Sequence, residues 1–118
     1  MGASAYGEGD RFLAKLRQLV ALNLDGSFEL NLNYFNHFQF HRPHYYADSM
    51  ADFLGLPPNQ RDKPLEQAYY DLASAAQTVF EEVYLNLLSA LRKRSQLDQV
   101  VIAGGSALNS VANGKAAL

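Results

Sequence analysis

The chain has 118 residues, enough for one small domain, and its 48% apolar and 12% aromatic content is too hydrophobic for a disordered segment. A net charge of −2 marks no general binder of nucleic acid or anionic membrane, and the absence of cysteine excludes a disulfide framework and thiolate metal sites. No apolar run approaches the roughly 20 residues that span a bilayer and no basic-then-apolar leader opens the chain, so a soluble, cytoplasmic protein is expected.

Residues 1–9 (MGASAYGEG) are small, glycine-rich and aperiodic, and read as a loop. The following stretch, 10–62, predicts a helix, a strand, an aromatic loop and a short helix. Asp10 to Asn23 puts Phe12, Leu13, Leu16, Leu19 and Val20 at helical spacing behind an Asp10 N-cap. Asp25-Gly26 is a turn, and Ser27 to Tyr34 alternates with Phe28, Leu30, Leu32 and Tyr34 on one face, as a half-buried strand does.

Tyr34 to Tyr46 holds all three histidines among many aromatics. His37 and His41 would share a helical face at metal-ligand spacing, but Pro43 disfavours helix at Arg42 and no acid lies between residues 29 and 48. The stretch therefore reads as a strand running into an irregular aromatic loop, with no metal ligand assigned. Asp48 to Leu54, stopped by Gly55, predicts a short helix, and residues 56–62 form a proline-broken connector.

The longest regular element is expected over 63–95. Pro64 suits its first turn, Glu66 its positive end, and Arg92, Lys93 and Arg94 its last turn. Leu65, Tyr69, Leu72, Ala76, Val79, Val83, Leu87 and Leu91 keep a period near 3.6. Asp71, Ser74, Gln77 and Thr78 interrupt it with polar groups, and Glu81 and Glu82 read as a solvated face, since adjacent helical positions diverge too widely to work as an acid/base pair.

Residues 98–118 predict a strand, a glycine turn and a helix that runs to the last residue. Val100, Val101 and Ile102 form a β-branched run of the kind buried on both faces of a sheet. Gly104-Gly105 ends it, and Ser106 opens a helix whose free N–H groups and dipole favour an anion. Asn109 and Asn113 offer amide donors to a phosphate or ribose. The candidate nucleotide-binding residues are thus Gly104, Gly105, Ser106, Asn109 and Asn113; no catalytic residue is assigned.

The stretch VVIAGGSALNSVANGK resembles the AGG-x-ALN-x-x-ANG signature of the O-carbamoyltransferases, which include nodulation and antibiotic-tailoring enzymes. Gly104, Gly105, Ala107, Leu108, Asn109, Ala112, Asn113 and Gly114 fall on the pattern, and Ser110 replaces the family's usual cysteine. Met1, Gly2, Tyr6 and Gly7 match an MGLAPYG stretch, Tyr34, Phe35 and His37 a Y-F-x-x-H element, and Asp71, Ala73 and Gln77 a D-x-A-x-x-x-Q element. The resemblance implies an α/β fold, here part of an actin-like ATPase (ribonuclease H-like) domain, helix-rich with a small sheet and one long helix. It also implies ATP and a carbamoyl-adenylate as the bound nucleotides, with carbamoyl phosphate and a hydroxyl acceptor as the parent enzyme's substrates. In the family, iron is held by two upstream histidines and a downstream aspartate, none of which matches a position here.

Two functional classes follow. In one, the chain is a fragment of an ATP-dependent O-carbamoyltransferase that forms one wall of the nucleotide cleft and is inactive alone. In the other, it is a non-enzymatic helical α/β module that self-associates or binds a protein. A sheet lacking neighbours would leave apolar edges exposed, so self-association is expected in either case.

Overall fold

The structure, a computed structural model, describes residues 1–41 and 44–116. The expected restraint of Pro43 on Arg42 and the last two residues of the expected terminal helix lie outside them. Among the described residues there are four α-helices and one two-stranded antiparallel sheet.

A single 3₁₀ turn, Ala3–Tyr6, opens the chain and is followed by α1, Asp10–Arg17. This helix stops earlier than its apolar stripe predicts. Its last turn tightens, with the Gln18 and Leu19 N–H groups donating to the Lys15 and Leu16 carbonyls, and the chain leaves as a strand. Strand β1, Val20–Leu22, pairs antiparallel with β2, Phe28–Leu30, with Val20 opposite Leu30.

Periodicity alone assigned Val20 to the helix. The hairpin overrides it, because β-branched Val20 fits the ladder and a strong turn lies just beyond. Gly26 adopts φ +89° in that turn, and Asp25 accepts hydrogen bonds from the Ser27 N–H and hydroxyl at 2.9 and 2.6 Å. The expected strand to Tyr34 is cut to three residues, and Phe35 and Tyr46 make an isolated bridge across the aromatic loop.

Helix α2, Ser49–Leu54, ends as expected at Gly55. Its φ of +68° lets Gly55 and Leu56 donate back to the Ala51 carbonyl at 2.9 and 3.1 Å. The long helix α3, Gln67–Ser95, starts three residues beyond Pro64, with Glu66 as an extended N-cap residue. Its 29 residues span roughly 43 Å at 1.5 Å per residue, nearly the full 47 Å length of the molecule.

Against the first half of α3 sits α1, and α2 packs on α1. Phe12, Leu54 and Ala75 form the core, flanked by Leu13, Leu16, Met50, Phe53 and Leu72. Ala75 is small enough to let the backbone at Gly9 approach, a Cβ at Gly9 lying only 3.1 Å from the Ala75 nitrogen. The buried face of α3 runs through Ala75, Val79 and Tyr84, while Leu65, Leu87 and Leu91 of the expected stripe stay exposed.

Three further expectations are corrected, the first being the helix expected to open at Ser106, which starts only at Ser110 after a 3₁₀ turn at Gly105–Leu108. Residues 100–102 form no strand, and Val101 is 97% exposed. A β-branched run sets a backbone preference, but a strand needs a ladder partner, and no described residue supplies one. Likewise, Glu81 is not on a solvated face: it is 5% exposed and paired with Lys115. Glu82 is the outer acid, bound to Arg17 at 2.5 Å.

Candidate functional site

After α3 the chain passes through residues 97–103 to a bend at Gly104, a 3₁₀ turn at Gly105–Leu108 and a short helix α4, Ser110–Ala116. Gly104 lies at φ +100°, ψ 173°, a region open in practice to glycine alone. Gly105 has no such need. A Cβ built at either glycine meets nothing within 4 Å, and residues 104–106 are exposed. The Gly105 and Ser106 N–H groups begin the turn and therefore have no partner within it.

Behind the bend, polar side chains fasten α4 to α3. Gln77 Nε2 donates to Asn109 Oδ1 and Asn109 Nδ2 donates to Gln77 Oε1, both at 3.0 Å. Asn109 Oδ1 also accepts from the Ala112 N–H at 3.1 Å, an N-cap contact that closes the first turn of α4. One turn on, Asn113 donates to the Ala107 carbonyl at 2.8 Å and accepts from the Tyr84 hydroxyl at 2.7 Å. Gln77 Nε2 reaches Glu81 at 2.8 Å, and Lys115 Nζ bonds the other oxygen of that carboxylate. Burial pushes the Glu81 carboxyl up; Lys115 and Gln77 outweigh it and hold the group below the ordinary carboxylate range.

The five candidate residues therefore divide. Gly104, Gly105 and Ser106 stand together at the open bend, whereas Asn109 and Asn113 use their oxygens and one donor each to fasten that bend from behind. Sequence reasoning missed Glu81, Tyr84 and Lys115. Their signal was a polar ladder at helical spacing, Gln77, Glu81 and Tyr84, facing Asn109 and Asn113 at the same spacing.

The amino-terminal turn reaches the same region. The Ser110 hydroxyl lies 3.4 Å from the Met1 sulfur. Gln67 donates to the Tyr6 carbonyl at 3.0 Å, and Asp71 accepts from the Glu8 N–H and from Gln67, both at 2.9 Å. Those two donors, the Glu8 N–H first, lower the Asp71 carboxyl. Thus the MGASAYG stretch packs along the start of α3, and its first residue reaches Ser110, the first residue of α4.

A cavity of about 800 Å³ lies beyond the bend, between the end of α3 and residues 97–102, lined chiefly by Leu88, Leu91, Leu97, Val100 and Ile102. Asn113 reaches it, but Gly104, Gly105 and Ser106 do not. Among the described residues no three His, Asp or Glu side chains gather as a metal ion requires, and none of their helices is long and apolar enough to cross a membrane.

An uncharacterized protein of Synechocystis sp., sll1178, is 36% identical over 122 residues, covering 98% of this chain and 18% of the relative's length. The chain thus spans under a fifth of the curated relative it matches. A family model described as the carbamoyltransferase N-terminus matches residues 1–117. The chain belongs to the carbamoyltransferase N-terminal family.

Proposed function

We propose that this chain is the part of an ATP-dependent O-carbamoyltransferase that forms one wall of the nucleotide cleft, within a domain of the actin-like ATPase kind. The bend at Gly104-Gly105 seats phosphate oxygens of ATP or of a carbamoyl-adenylate on the Gly105 and Ser106 N–H groups. In the parent enzyme the carbamoyl group comes from carbamoyl phosphate and passes to a hydroxyl acceptor. The chain contributes binding and orientation, and no group here is assigned to proton transfer or covalent catalysis.

One observation carries this reading. Gly105 has neither a left-handed backbone nor, among the described residues, a neighbour that excludes a side chain, so nothing described in the chain calls for glycine there. A ligand that must approach the backbone does. Asn109 and Asn113 serve that seat at one remove, by fixing the turn against α3.

Calorimetry with ATP tests it. Gly105→Val leaves the circular dichroism spectrum unchanged and weakens ATP binding by about 1–3 kcal/mol, the scale of forcing methyl groups into a close contact. Equal affinity in the variant removes Gly105 from the site.

A further inference from the structure

We propose that Glu81 is the positioning residue of the Gly104–Ser106 bend: its carboxylate fixes the orientation of the Gln77 and Asn109 amides, of which Asn109 caps α4, and the pair holds the bend on α3. For nucleotide binding this role rests on the reading of the bend as a phosphate seat; the orientation of the amides stands without it.

The reasoning is one of donors and acceptors. A carboxylate only accepts, so the side of Gln77 that faces Glu81 Oε1 at 2.8 Å must be its NH₂ group. The same nitrogen donates to Asn109 Oδ1, which leaves Gln77 Oε1 to accept from Asn109 Nδ2. Asn109 Oδ1 is then aimed at the Ala112 N–H, the contact that caps α4. Flipping Gln77 alone would set two oxygens against each other at Glu81. Flipping both amides would preserve their mutual bonds and lose the cap. The acceptor at Glu81 and the donor at Ala112 thus select one arrangement out of four.

Lys115, from α4, is the charged partner that keeps the carboxylate ionised in its 5% exposed position. Apolar contact cannot do this work, because Ala112 is the one fully buried apolar residue that α4 contributes among its described residues. The helix is held largely by polar groups, and Glu81 lies at the root of them.

Two variants of the 118-residue protein separate positioning from simple ion pairing, read by hydrogen exchange at the Ala112 N–H and by calorimetry with ATP. Glu81→Met removes the acceptor. Exchange at Ala112 should quicken about ten- to hundredfold, the worth of one hydrogen bond to a charged group, and ATP should bind more weakly. Glu81→Gln keeps an oxygen that can accept from Gln77 but turns an NH₂ group toward Lys115, so both readouts should fall between the wild type and Glu81→Met. Equal loss in the two variants, or an unchanged Ala112 in Glu81→Met, overturns the proposal. Wild-type protein that ignores ATP while the exchange pattern holds sinks the phosphate seat and supports the amide orientation.

Discussion

Gln77 and Asn109 face each other across the contact between α3 and α4, each amide donating to the other at 3.0 Å. They are 32 residues apart in the chain, and this pair ties the glycine bend to the long helix. Asn109→Ala removes the pair and the N-cap together. The expected loss is about 1–2 kcal/mol, confined to α4, so hydrogen exchange should rise there and stay unchanged in α1. Equal loss of protection in both helices would show that α4 does not open separately.

Glycines that look alike in the sequence should behave differently. A Cβ at Gly7 would lie 1.9 Å from the Tyr70 carbonyl oxygen, so Gly7→Ala must lift the amino-terminal turn from α3. A Cβ at Gly105 meets nothing. Thermal melting should show a loss of about 1–3 kcal/mol for Gly7→Ala and no significant change for Gly105→Ala. The reverse order would contradict the packing of the turn.

The depressed carboxyl of Glu81 makes stability depend on pH. Its folded value lies below its ordinary 4.5, so its stabilisation is complete above that pH and disappears as pH falls through the folded value. The urea midpoint should therefore drop on acidification below about 4.5. In Glu81→Gln the drop should be shallower. It should not vanish, because Asp71, also depressed, contributes with the same sign. An identical acid profile in the variant would deny Glu81 this role.

Val100, Val101 and Ile102 are exposed beside the apolar cavity at the end of α3. An exposed β-branched run with no ladder partner among the described residues is a template for another chain. Sedimentation at rising concentration should reveal self-association, and Val101→Lys should suppress it. A concentration-independent monomer would argue against this edge as an interface.

Much of the architecture was readable in advance, and the failures share a cause. Gly55, the Asp25-Gly26 turn and the cationic end of α3 act locally, so their residues announce them. Val20 and Val100–Ile102 depart from expectation because strands depend on partners, and one run has a neighbour while the other has none among the described residues. Glu81 was misread for a related reason: on a helix followed by itself it faces outward, and only α4 brings Lys115 over it. The glycine bend was legible from the resemblance in its spacing, but the role of Asn109 and Asn113 as fasteners required the fold.

Nuclear magnetic resonance of the labelled protein during titration with ATP addresses the phosphate seat itself. The N–H signals of Gly104, Gly105 and Ser106 should shift together and saturably, with those on the far side of α3 unmoved, and in Gly105→Val the titration midpoint should move to about tenfold or more higher ATP. Signals at the bend that stay fixed at saturating ATP, or shifts centred elsewhere, would contradict the assignment.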